Sequence, residues 1–215
     1  MNQPHSIADI RKDYMLRSLM EEEVLSSPID QFTIWWNEAL ASKIEEVNAM
    51  TLATSNSDGL PSARIVLLKG YTNEGFIFFT NYLSSKGRAM ETNPNAALLF
   101  FWKELERQVR IEGTVEKISE AESDDYFLSR PAGSRIGAWA SPQSESIAGR
   151  HIIEANVEQY SKQFEGGNIP RPPHWGGYIV KPLSIEFWQG RSNRLHDRIL
   201  YTKAGKEWKI KRLAP

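Results

Sequence analysis

The stretch from Glu186 to Arg198 concentrates more chemistry than any other part of the chain: Glu186-Phe187-Trp188-Gln189-Gly190, then Arg194-Leu195-His196-Asp197-Arg198. Trp can cover a flat ring, Arg can stack on it or neutralise its charge, and His can donate or accept a proton near neutrality. A satisfied His beside a local Asp–Arg pair is the plainer alternative. Packing alone does not require an aromatic pair followed so soon by Arg, His, Asp and Arg. Three further segments suit anions. Arg64-Ile65-Val66-Leu67-Leu68-Lys69 brackets four apolar residues with cations. It reads either as a barrel strand whose ends reach solvent, or as a strand setting Arg64 and Lys69 on an anion, which Arg can grip bidentately. Thr80-Asn81 leading into Ser84-Ser85-Lys86-Gly87 reads as a strand end entering a helix start. Backbone N–H groups, hydroxyls and Lys86 could cradle a phosphate there, or Ser84 could be a plain N-cap. Tyr126, Arg130 and Ser134 recur every four residues, a phenol, a guanidinium and a hydroxyl fit for a phosphate pocket or for an ordinary surface helix end. Pro131 should end that helix at or near Arg130.

Other chemistries are excluded. The 215 residues contain no Cys, and no two of His5, His151, His174 and His196 stand three or four apart, so no metal site is expected. There is no G-x-x-x-x-G-K-[ST], G-x-G-x-x-G or G-x-S-x-G, so phosphate contacts must come from side chains and from strand or loop backbone. A net charge of −1 argues against a general nucleic-acid binder. That figure hides an uneven spread: residues 1–60 hold 4 Lys/Arg against 10 Asp/Glu, and residues 190–215 hold 8 against 2. The basic end either faces solvent and the acidic end, or meets an anion. The longest apolar run, 96–102, is far too short to span a membrane. With no secretory pattern and no Cys, the expected location is the cytoplasm.

These side chains need elements to position them. Residues 1–27 are expected to form a flexible N-terminal arm, helical around 10–19. A helix should start at Pro28 with Ser27 as N-cap, burying Phe32, Trp35, Trp36, Ala39, Leu40 and Ile44. Strands are expected at 49–55, 63–69, 76–80, 96–102 and 108–118, the fourth buried on both faces, with a hairpin turn at Asp58-Gly59. Helices are expected at 84–92, from the Ser119/Glu122 capping box to 129, and at 146–164. Strands at 178–188 and 198–212, the last bent at Ala204-Gly205, complete the chain. The fold class is α+β with an antiparallel β-barrel core, one domain over 28–215.

The sequence resembles the pyridoxine/pyridoxamine 5′-phosphate oxidases over nearly its whole length. The resemblance rests on R-I-V-L-L-K at 64–69, F-F-T-N at 78–81, L-E-R-Q-V-R at 105–110, S-R-P at 129–131, I-G-A-W at 136–139, W-G-G at 175–177, E-F-W-Q-G at 186–190, R-L-H-D-R at 194–198 and the terminal R-L-A-P. It implies a split β-barrel, a homodimer with FMN at the interface, and oxidation of pyridoxamine or pyridoxine 5′-phosphate to pyridoxal 5′-phosphate, with O2 as acceptor and H2O2 as product, in vitamin B6 metabolism. By position, Arg64, Ile65, Val66, Leu67, Lys69, Phe79, Thr80 and Lys86 match FMN contacts, as do Gln108, Gln143, Ser144, Trp188 and Arg198. Ser85 stands where relatives often carry Arg; its hydroxyl could reach the FMN phosphate with one cation fewer. Lys69, Tyr126, Arg130 and Ser134 match the substrate-phosphate group. Arg194 and His196 match the catalytic residues over the substrate ring, and Arg11 and Tyr14 match a segment that closes over the site. Two other readings are a split-barrel flavin reductase with a nicotinamide donor and a non-catalytic pyridoxal-phosphate binder.

Overall fold

The computed structural model describes residues 13–215. Among the described residues, five α-helices and nine strands make an α+β chain: α1 Pro28–Ala41, β1 Ala49–Ser55, β2 Pro61–Leu67, β3 Gly70–Thr72, β4 Gly75–Asn81, α2 Ser85–Thr92, β5 Asn95–Trp102, β6 Arg107–Lys117, α3 Glu120–Ser129, α4 Ala132–Ala140, α5 Arg150–Gln163, β7 Trp175–Gln189, β8 Asp197–Ala204 and β9 Glu207–Leu213. The strand order is β2-β1-β5-β6-β7-β4-β3, with β8 pairing β7 and β9. The chain divides into two compact units. The first holds the arm, α1, residues 99–111 and residues 184–215; the second holds residues 48–98 and 112–183. β5, β6 and β7 each contribute residues to both.

In the first unit, Ser27 caps α1 by accepting from the Asp30 N–H (3.3 Å), and Phe32, Trp35 and Ala39 are buried. Phe32 packs on Phe100 and Trp102, and Trp35 lies edge-on to Phe187. The apolar face is shorter than expected. Leu40 is exposed and α1 stops at Ala41, ahead of Ile44, where the backbone turns through Lys43 at φ 53°. The expected strand 198–212 is a hairpin: β8 and β9 pair antiparallel, Tyr201 opposite Ile210, around Gly205 at φ 67°.

The arm is not helical over its described part. Residues 13–20 form neither helix nor strand and bend at Leu16, followed by a 3₁₀ turn at Glu21–Glu23. Its amides go to distant carboxylates instead of to a helix ladder: Met15 and Leu16 N–H donate to Glu106 Oε2, and Leu19 N–H to Asp197 Oδ2. Arg212 binds Glu21, Asp197 and the Leu19 carbonyl, and Tyr201 Oη donates to the Leu25 carbonyl. Hydrogen bonding from Arg212 lowers the Glu21 pKa from 4.5 to about 2. A carboxylate depressed in the folded state stabilises it above the ordinary value and ceases to do so as pH falls through the folded one. The arm should therefore loosen as pH drops from 4.5 towards 2. Amide exchange over residues 19–25 should show this, and Glu21→Gln should abolish the pH dependence of that step.

In the second unit, β1 and β2 form the expected hairpin, with Gly59 at φ 81° and the Asn56 side chain accepting from the Asp58 and Leu60 amides. β5, running from the second unit into the first and expected to be buried on both faces, alternates: Ala96, Leu98, Phe100 and Trp102 are inside while Phe101 is 55% exposed. That is the pattern of an antiparallel strand with one covered face. Ser84 caps α2, accepting from Gly87 N–H, and the Ser119/Glu122 capping box opens α3. Helix α4 is additional to the expected elements, and α5 starts at Arg150 rather than at 146.

Candidate functional site

A cavity of about 680 Å³ opens in the second unit, within the range of small-molecule and cofactor sites. β2 and the residue two beyond it supply Ile65, Val66, Leu67 and Lys69; β4 supplies Phe79 and Thr80; α2 supplies Lys86. The far wall is Tyr126 from α3, Arg130, Ser134 from α4, and Gln143 from the loop after α4. α3 ends at Ser129, Arg130 is extended (φ −75°, ψ 147°), and a new helix starts after Pro131. Tyr126, Arg130 and Ser134 therefore share the cavity across a break between two helices, without one continuous helix face.

Three aromatic rings form one wall. Phe79 stacks on Tyr126 (centroids 3.9 Å apart) and on Trp175 (5.5 Å). The Arg130 guanidinium lies over Trp175, 4.6 Å from its centroid. The glycines after Trp175 permit this packing. A Cβ at Gly176 would sit 2.0 Å from the Tyr82 hydroxyl, and one at Gly177 would sit 2.3 Å from Ile118 and 2.8 Å from Phe79.

The cavity is cationic and its cations are uncompensated. Lys86 Nζ donates only to neutral oxygens, Thr80 Oγ1 (3.2 Å), Ser84 Oγ (3.3 Å) and Gln143 Oε1 (3.2 Å). Burial lowers its pKa, and the nearby Arg64 charge lowers it further. Burial also lowers the pKa values of Arg64 and Arg130. Arg64 is held along the β1–β2 hairpin by the Leu52 carbonyl and Thr54 Oγ1 and does not line the cavity itself. Arg130 Nη1 is buried without a hydrogen-bond partner. Among the described residues, none of Arg64, Lys69, Lys86 and Arg130 pairs with a carboxylate. Partly buried charge of one sign with donors left open is the chemistry of a receptor for a multivalent anion. Ser85, the first residue of α2, and Ser144, at φ 74°, flank Lys86 and Gln143 and are exposed.

A second cluster lies in the first unit. Trp188 and His196 meet in a tilted contact with centroids 4.5 Å apart, and the Tyr14 ring meets both edge-on, at 5.8 and 6.0 Å. His196 Nδ1 accepts from the Arg191 N–H (3.1 Å). That bond assigns the ring proton to Nε2 in the neutral form. Burial lowers the His196 pKa, followed by the adjacent Arg194 charge. Arg194 is exposed at φ 62°, after Asn193 at φ 55°, two successive left-handed residues that turn the chain sharply. Arg198, opposite Trp188 in the β7–β8 register, donates to Glu186 Oε1 (2.7 Å), and Arg110 donates to Glu186 Oε2 (2.6 Å). Glu186 is only 3% exposed. Gln108 is half-buried on β6, and Arg11 lies outside the described residues. Trp175, Glu186 and Glu106 were not expected as site residues. Each sits inside a quoted motif, but the partners that give it a place are distant in sequence.

Residues 36–164 match the family model described as pyridoxamine 5′-phosphate oxidase, and residues 175–215 the one described as the pyridoxine 5′-phosphate oxidase C-terminal dimerisation region. The chain is 58% identical over 211 residues to the pyridoxine/pyridoxamine 5′-phosphate oxidase of Trichormus variabilis, covering 98% of this chain and 99% of that one. It is 59% identical over 210 residues to the enzyme of the same name from Cupriavidus metallidurans, covering 97% and 99%. Among solved structures, PhzG from Burkholderia lata, in complex with tetrahydrophenazine-1-carboxylic acid, superposes with a TM-score of 0.87 at 31% identity, covering 93% of this chain and 99% of that one. A pyridoxamine 5′-phosphate oxidase-related FMN-binding protein from Nostoc punctiforme shares the fold, with a TM-score of 0.70 at 17% identity over 89% of this chain and 100% of that one. The fold is the α+β split β-barrel that the resemblance implied.

Proposed function

The chain belongs to the pyridoxamine 5′-phosphate oxidase family, and from that premise we propose that it oxidises pyridoxamine and pyridoxine 5′-phosphate to pyridoxal 5′-phosphate. It is an oxidoreductase, and its cofactor is FMN. The overall reaction consumes O2 and yields H2O2, with water consumed and ammonia released when the substrate is the amine. In this reading it serves vitamin B6 metabolism in the cytoplasm. The chain acts as a homodimer with FMN at the subunit interface, in keeping with the dimerisation region matched by residues 175–215.

The observation that carries the reading is the carboxylate-free cationic cavity with its orphaned Arg130 Nη1. FMN and the substrate each bring a phosphate dianion, and the residues present fit both. Lys86, Thr80 and Gln143 would hold the cofactor phosphate, with Ser85 beside them and Arg64 adding charge. Lys69, Tyr126, Arg130 and Ser134 would hold the substrate phosphate. When bound, FMN supplies a two-electron acceptor that O2 reoxidises. The protein supplies placement: a phosphate gripped far from the reacting carbon orients the ring. Arg194 covers the ring. Neutral His196, its Nδ1 engaged by Arg191, offers Nε2–H to a ring substituent, an orienting donor and not a base.

The test is oxygen uptake and peroxide release by the purified, FMN-reconstituted chain with each phosphorylated substrate. Failure with both would overturn the reading. Faster anaerobic bleaching of the flavin by NADPH than by pyridoxamine 5′-phosphate would favour the reductase instead. Vitamer binding without any bleaching would favour the non-catalytic binder.

The His196 role has a pH signature. With its pKa lowered, the ring is neutral at pH 7 and gains a proton only as pH falls below the ordinary 6.5. Protonation puts a hydrogen on Nδ1 and breaks the bond from the Arg191 N–H that orients the ring, so activity should drop through that acid limb. His196→Asn should remove one proton from the limb and lower turnover roughly tenfold, the worth of one orienting hydrogen bond. The substrate phosphate, with a second pKa of about 6, titrates in both proteins and cancels in the comparison.

A further inference from the structure

We infer that Glu106 is a positioning residue, whose carboxylate clasps the arm so that the Tyr14 ring is set against His196 and Trp188. The inference rests on the function proposed above for His196. Glu106 lies in the turn between β5 and β6, at φ 55° and 3% exposed. Its Oε2 accepts from two consecutive amides some ninety residues away in sequence, Met15 (2.9 Å) and Leu16 (3.2 Å). Its own carbonyl accepts from Gly190 N–H (2.7 Å) and Gln189 Nε2 (3.2 Å), which ties the same turn to the end of β7, just past Trp188. Ser192 Oγ donates to the Tyr14 carbonyl (3.2 Å). The residue at 190 must be small, because a Cβ there would lie 2.7 Å from Tyr14 Cγ.

The pattern of burial says what the clasp is for. Met15 and Leu16 are 74% and 57% exposed, so the held peptide buries little apolar surface of its own. Of residues 14–16, only Tyr14 turns inward, onto the two rings of the first-unit cluster. Burying a carboxylate against two backbone donors, in a left-handed residue, is a costly way to hold a surface segment and an effective way to fix a ring. Tyr14 thereby limits how His196 and Trp188 can tilt and helps close off the substrate ring. A clasp that served stability alone would affect the chain equally whether or not Tyr14 carried its ring.

The full FMN-loaded chain decides between these. Glu106→Ala should speed amide exchange at Met15 and Leu16. It should raise KM for pyridoxamine 5′-phosphate and lower kcat/KM about tenfold, leaving FMN affinity unchanged. Glu106→Gln keeps an amide oxygen that accepts both N–H groups and should recover most of the loss. In a Tyr14→Ala background, Glu106→Ala should cost little more, because the two residues act as one unit. Equal losses with and without the Tyr14 ring would overturn the proposal, as would unchanged kcat/KM despite faster exchange. Should Glu106→Ala fail to fold, Ser192→Ala, which frees the Tyr14 carbonyl, undergoes the same comparison. Should the wild-type chain oxidise neither vitamer, the functional reading falls alone. Binding of pyridoxal 5′-phosphate, measured across the same four-protein cycle, then judges the clasp.

Discussion

Arg130→Ala should lower kcat/KM for pyridoxamine 5′-phosphate by roughly a hundredfold to a thousandfold while FMN stays bound. Each charge-assisted hydrogen bond contributes about 1.5–3 kcal/mol, and each 1.4 kcal/mol is tenfold. Arg130 offers more than one donor: it is planar, held over Trp175, and leaves Nη1 buried and unpaired. The loss should be confined to phosphorylated substrates. With unphosphorylated pyridoxamine the variant and the wild type should converge, since neither then has an anion to grip. Arg130→Lys should restore only part, because an ammonium keeps the charge but neither the fork nor the stack. Equal losses on phosphorylated and unphosphorylated substrates would assign Arg130 to the wall of the cavity and not to the anion.

Lys86→Met should move two measurements in opposite directions. FMN affinity should fall about tenfold to a hundredfold, the worth of one charge-assisted contact. The apoprotein should become more heat-stable. Burial and Arg64 lower the Lys86 pKa, so its charged form is disfavoured in the folded apo state. Linkage gives the sign: a base with a depressed folded pKa weakens the fold wherever it is protonated, and stability recovers as pH rises through the folded value. Methionine keeps the stem and removes the charge. Flavin-fluorescence titration and thermal unfolding of the apoprotein test the pair. Lower apo stability in the variant would mean that Lys86 serves the fold through Thr80, Ser84 and Gln143 and not through an anion.

How much of this could be read from the residues follows from the range of the interactions. α1 was legible because Ser27, Pro28 and Asp30 act within a single turn, as were the β1–β2 hairpin at Gly59 and the capping box at Ser119. α4 was hidden: Pro131 signals a stop, and nothing in Ala132–Ala140 signals a restart except its docking on α5. The conformation of the arm was illegible for the same reason. Residues 10–19 carry a helical pattern, but the acceptors for Met15, Leu16 and Leu19 are 91, 90 and 178 residues away. In the site, motif spacing marked Tyr126, Arg130 and Ser134, yet the break that lets all three face one cavity depends on an extended Arg130. Glu106 and Glu186 stood inside quoted motifs with no role assigned to them, because the donors that account for their burial are distant in sequence.

Trp175 gives the chain a built-in optical gauge. It is one of seven tryptophans, and its indole forms part of the cavity wall, under the Arg130 guanidinium and in the Phe79–Tyr126 stack. Whatever fills the cavity comes within quenching distance of that ring, and a flavin would also absorb its emitted light. Loading can therefore be followed in real time from the protein's own emission, without a label and before any turnover. Trp175→Phe, which keeps a stacking ring, would identify how much of the signal comes from this one wall.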